Sequence, residues 1–283
     1  MYCGCMWVDP SWRILHGAFG MQAMKPVLLF ALLALVRAKD DGFDYSDGED
    51  DPGRHLRLAD EVQAESKLYN EPWSRTDLSI IKMNHGINTN QPPRVPRFTK
   101  EGFKKFPVPR DLWSAISSFY EQYKGHEVDE TNIVGYLNNN RVHTKMVPIS
   151  EEIRQKTFTD MGRVLSEWID PSVMPKGVST ELHGTACYGI RKYVRDSTLQ
   201  RHVDRQDTHA VSAIINVAQV GLDEPWPLEI VDHSGKNHRV TIKPGEAVAY
   251  ESAKLVHGRP HPLKGDAYYN LFVHFRPQTG WEY

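Results

Sequence analysis

Short segments of alternating polar and apolar residues fill the second half of this 283-residue chain. Each is rich in β-branched and aromatic residues and is bounded by turn formers such as Pro244-Gly245. The predicted strands cover residues 186–194, 209–218, 228–232, 238–242, 247–251, 255–257 and 268–275. Because no helical pattern intervenes, this half is predicted to form an antiparallel sandwich or barrel of the jelly-roll kind.

Two amphipathic helices are predicted before these strands. The first begins at Pro109, and the second is capped by Ser150 and ends before Pro171. Their apolar faces comprise Leu112, Ile116, Phe119 and Tyr123 in the first helix and Ile153, Phe158, Met161, Leu165 and Trp168 in the second. Helices followed by strands predict an α+β, mainly β fold in which the helices buttress one sheet from outside.

The region before residue 107 is predicted to contain three segments. Residues 1–38 are a leader, in which Met24 is the expected start of a secretory signal with an apolar run at 27–36. That run is too short to span a membrane, which needs about 20 residues. Residues 39–55 are an acidic linker, and residues 56–106 are an ordered, turn-rich arm laid over the domain at 107–283. The signal predicts the secretory pathway, either the endoplasmic reticulum lumen or secretion.

Composition excludes several classes of protein. With 40% hydrophobic residues, the chain is not intrinsically disordered. A formal net charge of −2 and the absence of a basic run give no sign of a nucleic-acid partner. Only Cys187 of the three cysteines lies in the globular region, which excludes a disulfide framework.

The most informative polar residues are His202 and Asp204, two positions apart in an HxD motif. Residues at this spacing in an extended segment face the same side and can bind one metal together. His257, at the end of a later strand, is the third candidate. Two histidines and one carboxylate are the ligand set of the non-haem Fe(II) oxygenases. A zinc-dependent hydrolase could use the same set, but no HExxH motif supplies its general base.

Several motifs in residues 181–277 resemble the catalytic domain of the prolyl 4-hydroxylase branch of Fe(II)/2-oxoglutarate dioxygenases. They are YG at Tyr188, HVDR at 202–205, PGE at 244–246, HGRP at 257–260 and NLFVHFRP at 270–277. The resemblance implies a double-stranded β-helix (jelly roll) in which His202, Asp204 and His257 bind iron. It also implies that Tyr188 contacts the cosubstrate.

The chain departs from the family pattern at one position. The family places a lysine or arginine about ten residues after the distal histidine to hold the far carboxylate of 2-oxoglutarate, and this chain has Ala267 near that position. Arg259, Lys264 and Arg276 are the candidates to replace it, with Arg191 further off. Arg259 is preferred, since a guanidinium pairs with a carboxylate through two hydrogen bonds. The alternative for Arg259 is a structural ion pair with an acid such as Glu251.

The activity that the resemblance implies is hydroxylation of a peptide or protein residue, with proline as the first choice. The implied cofactors are Fe(2+), 2-oxoglutarate and O2, with ascorbate as a further candidate. The expected partner is a peptide or protein substrate, without nucleic acid and without a stable membrane span. A non-catalytic jelly-roll binding domain stays open as an alternative because of the change at Ala267.

Overall fold

The computed structural model describes residues 75–130, 142 and 144–282. The predicted leader at 1–38 and the acidic linker at 39–55 lie outside the described residues, as does the first part of the arm at 56–74. The expectations for these segments, and the secretory pathway with them, therefore stay predictions. No helix in the described ranges is long and apolar enough to cross a membrane.

The described chain contains three helices and twelve strands. In chain order they are α1 (Arg75–Asn90), β1 (Phe103–Pro107), α2 (Arg110–Tyr123), β2 (Val128–Asp129), β3 (Lys145–Pro148), α3 (Glu151–Trp168), β4 (Leu182–Ala186), β5 (Gly189–Val194), β6 (Leu199–His202), β7 (Val211–Val220), β8 (Leu228–Val231), β9 (Asn237–Val240), β10 (Glu246–Tyr250), β11 (His257–Arg259) and β12 (Ala267–Pro277).

These strands form two antiparallel sheets. The major sheet has the order β1-β10-β7-β12-β5-β3-β2, with β4 also paired to β12, and the minor sheet has the order β6-β11-β8-β9. Together they form the mainly β, jelly-roll fold that the sequence predicts. The long strands β7 and β12 lie side by side at the centre of the major sheet.

Alternation along the central strands places apolar side chains on both faces of the major sheet. The outer face packs against α2 and α3, where Leu112 and Met161 share a core with Ile215 and Leu271. Ile214, on the inner face, packs against residues of both sheets and of the adjoining loops. They are Leu228, Ile230, Ile242, Val248, Tyr250 and Leu255. The predicted Ser150 cap is present, with its hydroxyl oxygen accepting a hydrogen bond from the Ile153 N–H at 3.3 Å.

Some local predictions are wrong in detail. The single strand predicted at 186–194 is two strands, β4 and β5, and the strands β1, β2, β3 and β6 were not predicted. The arm, predicted to be ordered and turn-rich, also contains the helix α1, which was not predicted. Its sequence has a weak apolar periodicity because its side chains at Asn84 and Asn88 reach the domain through hydrogen bonds.

We expect Ile214→Ala to lower the free energy of unfolding by roughly 2–5 kcal/mol, because it removes a fully buried side chain between the two sheets. Val220→Ala is the matched control on the same strand, since the Val220 side chain is 44% exposed. Urea unfolding of both variants measures the difference. Equal effects would contradict the packing of Ile214 in the core.

Candidate metal centre

The two histidines of the predicted triad are neighbours across a pair of antiparallel strands. His202 on β6 and His257 on β11 are register partners, and their ring centroids are 4.4 Å apart. Gly258 permits this pairing, because a Cβ there would lie 2.7 Å from the Gln200 carbonyl oxygen and 2.8 Å from that of Leu199. Real Cβ contacts are not this short, so a side chain at Gly258 would force β11 away from β6.

Backbone carbonyl groups determine which nitrogen of each ring carries the proton. His202 Nδ1 lies 2.7 Å from the Gln200 oxygen, and His257 Nδ1 lies 2.8 Å from the Leu255 oxygen. A carbonyl oxygen can only accept, so each ring carries its proton on Nδ1. The lone pair of each Nε2 is therefore free to bind a metal, as in sites where the second ring nitrogen orients the ligand.

Asp204 completes the group from the loop that follows β6. Its Oδ1 lies 3.4 Å from His202 Nε2 and 3.8 Å from His257 Nε2. The three residues offer ligand atoms that all lie within 4.8 Å of one another. Asp204 Oδ2 is buried and has no hydrogen-bond partner. Two imidazole nitrogens and one carboxylate oxygen that leave one side open fit a first-row divalent metal such as Fe(II).

The charge of this group is set by its surroundings. Burial of Asp204 works against the carboxylate, but the neighbouring imidazoles of His202, His257, His274 and His209 outweigh it and hold the pKa of Asp204 well below its usual range. Burial lowers the pKa of His257 to about 4. At neutral pH the group therefore offers one negative charge and a neutral His257 ring to a cation.

A chain of buried hydroxyls holds a further histidine beside Asp204. The Ser252 hydroxyl donates to the His209 carbonyl at 2.6 Å, so it must accept from Ser212 Oγ at 2.5 Å. Ser212 then accepts from His274 Nδ1 at 2.7 Å, which fixes the proton of His274 on Nδ1. His274 Nδ1 lies 3.7 Å from Asp204 Oδ2, so His274 is buried beside the metal group.

A cavity of about 400 Å³ opens beside the triad. Its lining includes His202, Asp204 and His274, together with the apolar side chains of Met146, Leu199 and Phe272. Tyr188 also lines it, but the Tyr188 side chain lies at the mouth and is 58% exposed. Its predicted contact with the cosubstrate stays a prediction.

The three candidate cations are in different environments. Lys264 is 46% exposed and pairs with Asp196 at 3.4 Å, and Arg276 is exposed on β12. Arg259 is 1% exposed, and its Nη1 and Nη2 atoms have no hydrogen-bond partner among the described residues. The alternative pairing of Arg259 with Glu251 is not found, because Glu251 Oε1 instead accepts from the Thr99 backbone and hydroxyl and lies 3.1 Å from His233 Nε2.

The surroundings of Arg259 include residues that the sequence did not single out. Its guanidinium carbon lies 4.9 Å from the ring centroid of Trp226 and 5.2 Å from that of Tyr268. The Tyr193 hydroxyl is buried and without a partner, and its ring is 5.1 Å from that of Trp226. Alternation along β5 and β12 could have predicted that Tyr193 and Tyr268 face the interior. Trp226 could not be predicted in this way, because it lies between β7 and β8 in a connection without periodicity.

We expect the metal-free protein to lose stability as the pH falls from about 7 to about 5, by roughly 2 kcal/mol for His257, whose pKa is about 4, with further losses from His209 and His274. Burial lowers the pKa values of His209, His257 and His274 from their usual 6.5, so below that pH the unfolded chain binds protons that the folded chain does not. Urea unfolding with a chelator at both pH values measures the loss. His274→Gln should reduce this loss of stability. His183→Gln, at an exposed position on β4, is the control and should show the same loss as the wild type. An unchanged pH dependence in His274→Gln would contradict this prediction.

No protein-family model matches this sequence, and no curated relative does. Solved structures similar to this one include a Pseudomonas putida prolyl-4-hydroxylase, with 18% identity over 62% of this chain and 93% of that chain and a TM-score of 0.44. A prolyl hydroxylase from Trichoplax adhaerens, in complex with a hypoxia inducible factor peptide fragment, has 12% identity over 76% and 92% of the two chains and a TM-score of 0.46. HygX from Streptomyces hygroscopicus, with nickel, 2-oxoglutarate and hygromycin B bound, has 14% identity over 63% and 84% and a TM-score of 0.43.

The double-stranded β-helix and the group of His202, Asp204 and His257 are what the sequence resemblance to the Fe(II)/2-oxoglutarate dioxygenases implied, and the structure has both.

Proposed function

We propose that this protein is an Fe(II)- and 2-oxoglutarate-dependent oxygenase that hydroxylates a residue of a peptide or protein, with proline as the first choice. The observation that carries the proposal is the buried Arg259 guanidinium beside the His202, Asp204 and His257 group. A metal site alone would suit several chemistries. A metal site with an unpartnered cation inside the same barrel favours an anionic cosubstrate.

The environment of Arg259 supports binding of a carboxylate. Its Nε makes one long hydrogen bond to the Trp226 carbonyl at 3.4 Å, and the rings of Trp226 and Tyr268 contact the guanidinium. A buried charge without hydrogen-bond partners is costly. A carboxylate can accept two parallel hydrogen bonds from Nη1 and Nη2, which would satisfy both atoms. The unpartnered Tyr193 hydroxyl is a further donor in the same apolar cluster.

The spacing of Arg259 from the metal group fits a five-carbon diacid. His257 and Arg259 lie two positions apart on β11, and both are buried. Two strand residues span about 6–7 Å, which is comparable to the length of a short dicarboxylic acid. One end of 2-oxoglutarate would bind the metal and the other would bind Arg259. Arg259 is not part of the cavity lining, whereas its register partner Leu199 is.

Each part of the chain has one task in this proposal. His202, Asp204 and His257 would hold the iron, and Arg259 would hold the far carboxylate. When bound, iron and 2-oxoglutarate supply oxidative decarboxylation to succinate and carbon dioxide with hydroxylation of a substrate C–H. Leu199, Tyr250 and Phe272 surround the site and limit the entry of water.

The substrate side is the mouth of the cavity. Its volume of about 400 Å³ is in the range of small-molecule sites and would admit one residue of a peptide. Tyr188 and Arg205 are exposed at this mouth. Assignment of proline follows from the sequence resemblance, and the apolar side chains of Met146 and Phe272 are compatible with it.

We expect Arg259→Ala to raise the 2-oxoglutarate concentration needed for half saturation by roughly 10–100-fold, since it removes charged hydrogen bonds worth about 1.5–3 kcal/mol. Arg276→Ala, an exposed arginine on β12, is the matched control and should behave as the wild type. The measurement is anaerobic titration of the Fe(II)-loaded protein, followed through its visible charge-transfer band. Loss of affinity in Arg276→Ala but not in Arg259→Ala would reverse the assignment.

We expect Asp204→Ala to abolish iron binding, because it removes the only carboxylate of the described metal group. Absence of the charge-transfer band in the wild type would contradict the oxygenase proposal and favour the zinc-dependent hydrolase. A band without succinate formation on any peptide would favour the non-catalytic binding domain.

We also propose that the protein enters the secretory pathway, supported by the basic start at Lys25 and the apolar run at 27–36. The full chain with a C-terminal tag, expressed in eukaryotic cells, should be protected from protease in intact microsomes and should begin near residue 39. A cytosolic product that retains Met1 would contradict this prediction.

A further inference from the structure

We propose that three amide side chains of the N-terminal arm, Asn84, Asn88 and Gln91, form a clamp that positions the metal ligands. This proposal rests on the proposed metal site and extends it to a part of the chain outside the family resemblance. Asn84 and Asn88 belong to α1, and Gln91 follows it directly. Their hydrogen bonds go to the backbone around the metal ligands and not to the ligand side chains, so they are positioning residues.

The first half of the clamp covers an open edge of the minor sheet. In the described structure β6 pairs only with β11, so its other edge has no strand neighbour. Asn84 Nδ2 and Asn88 Nδ2 donate to the Arg201 carbonyl at 2.7 and 3.0 Å. Asn88 Oδ1 accepts from the Val203 N–H at 2.9 Å. These bonds hold the backbone on both sides of His202.

The second half of the clamp joins two distant segments of the chain. Gln91 Nε2 donates to the Asp204 carbonyl and to the Ala253 carbonyl, both at 2.7 Å. An amide nitrogen has two hydrogens, and both are used here. Gln91 therefore links the loop that carries Asp204 to the turn that leads into His257. The Asp204 N–H also donates to the Ser252 carbonyl at 2.8 Å, next to the same link.

The chemistry of the clamp requires neutral amides. The four hydrogen bonds that its side-chain N–H groups donate all go to backbone carbonyls, which need N–H donors, and Gln91 is only 7% exposed. A glutamate at position 91 would have the same shape but would turn oxygen atoms toward two carbonyl oxygens. Loss of such orienting contacts around a metal typically weakens metal binding by about 10–100-fold.

Other contacts keep the arm in place when a single amide is lost. Lys254 Nζ donates to the carbonyls of Pro92 and Val95, and the Thr99 hydroxyl donates to Glu251 Oε1 at 2.7 Å. We therefore expect Gln91→Glu to fold with its arm bound but with the ligand segments less firmly positioned.

The test measures Co(II) binding to the full chain, with Co(II) as the probe for the metal and its visible absorption as the readout. We expect Gln91→Glu to bind Co(II) roughly 10–100-fold more weakly than the wild type and to show altered band intensities. Asn88→Asp keeps the acceptor for the Val203 N–H but loses the donor to Arg201, and it should show a smaller loss. Thr89→Ala is the matched control, because the Thr89 hydroxyl bonds only within α1, to the His85 carbonyl.

Urea unfolding without metal, in parallel, separates positioning from general stability. Folded Gln91→Glu and Asn88→Asp proteins with wild-type Co(II) affinity would overturn the clamp. So would an equal loss of affinity in Thr89→Ala. If Gln91→Glu does not fold, Asn88→Asp decides the outcome alone. If the wild type binds Co(II) no better than Asp204→Ala, the metal site itself is wrong, and that result is distinct from failure of the clamp.

Discussion

The pairing of β6 with β11 is the constraint on which the site depends. It brings His202 beside His257, although the four strands β7 to β10 lie between the two residues in the chain. The pairing is close because position 258 has no side chain to meet the backbone oxygens of β6. A slip of one residue in this register would turn one of the two histidines to the other face of the sheet.

Hydrogen bonds to backbone carbonyl groups then set the tautomers of the two histidines. The Gln200 and Leu255 carbonyls hold the protons of the two rings on Nδ1, so both Nε2 atoms face Asp204. The barrel interior also contains Arg259, whose Nη1 and Nη2 atoms have no hydrogen-bond partner in the part of the chain that the structure describes. A low-dielectric interior makes such unpaired charges costly, which is why ligands of opposite charge are the natural occupants.

Side chains of the arm also hold the backbone of β6 through hydrogen bonds. An edge strand with a functional residue at its end needs something to hold its open side, and α1 supplies amides in place of another strand. This role explains why the arm sequence is polar and rich in Asn and Gln, and why its helix was not predicted from apolar periodicity. Predictions for the two helices α2 and α3 were confirmed, because each has an apolar face that packs on the sheet.

The sequence by itself determined the jelly-roll fold, the two packed helices and the three candidate metal ligands. These follow from local patterns, which are strand alternation, helical spacing and the HxD motif with a later histidine. The sequence favoured Arg259 for its guanidinium, but only the tertiary structure decided that it is the buried cation, because the burial that separates Arg259 from Lys264 and Arg276 depends on contacts between distant segments. The tertiary structure also decided the partners of Asn84, Asn88 and Gln91, since hydrogen bonds between segments over 100 residues apart leave no periodic signal in the chain.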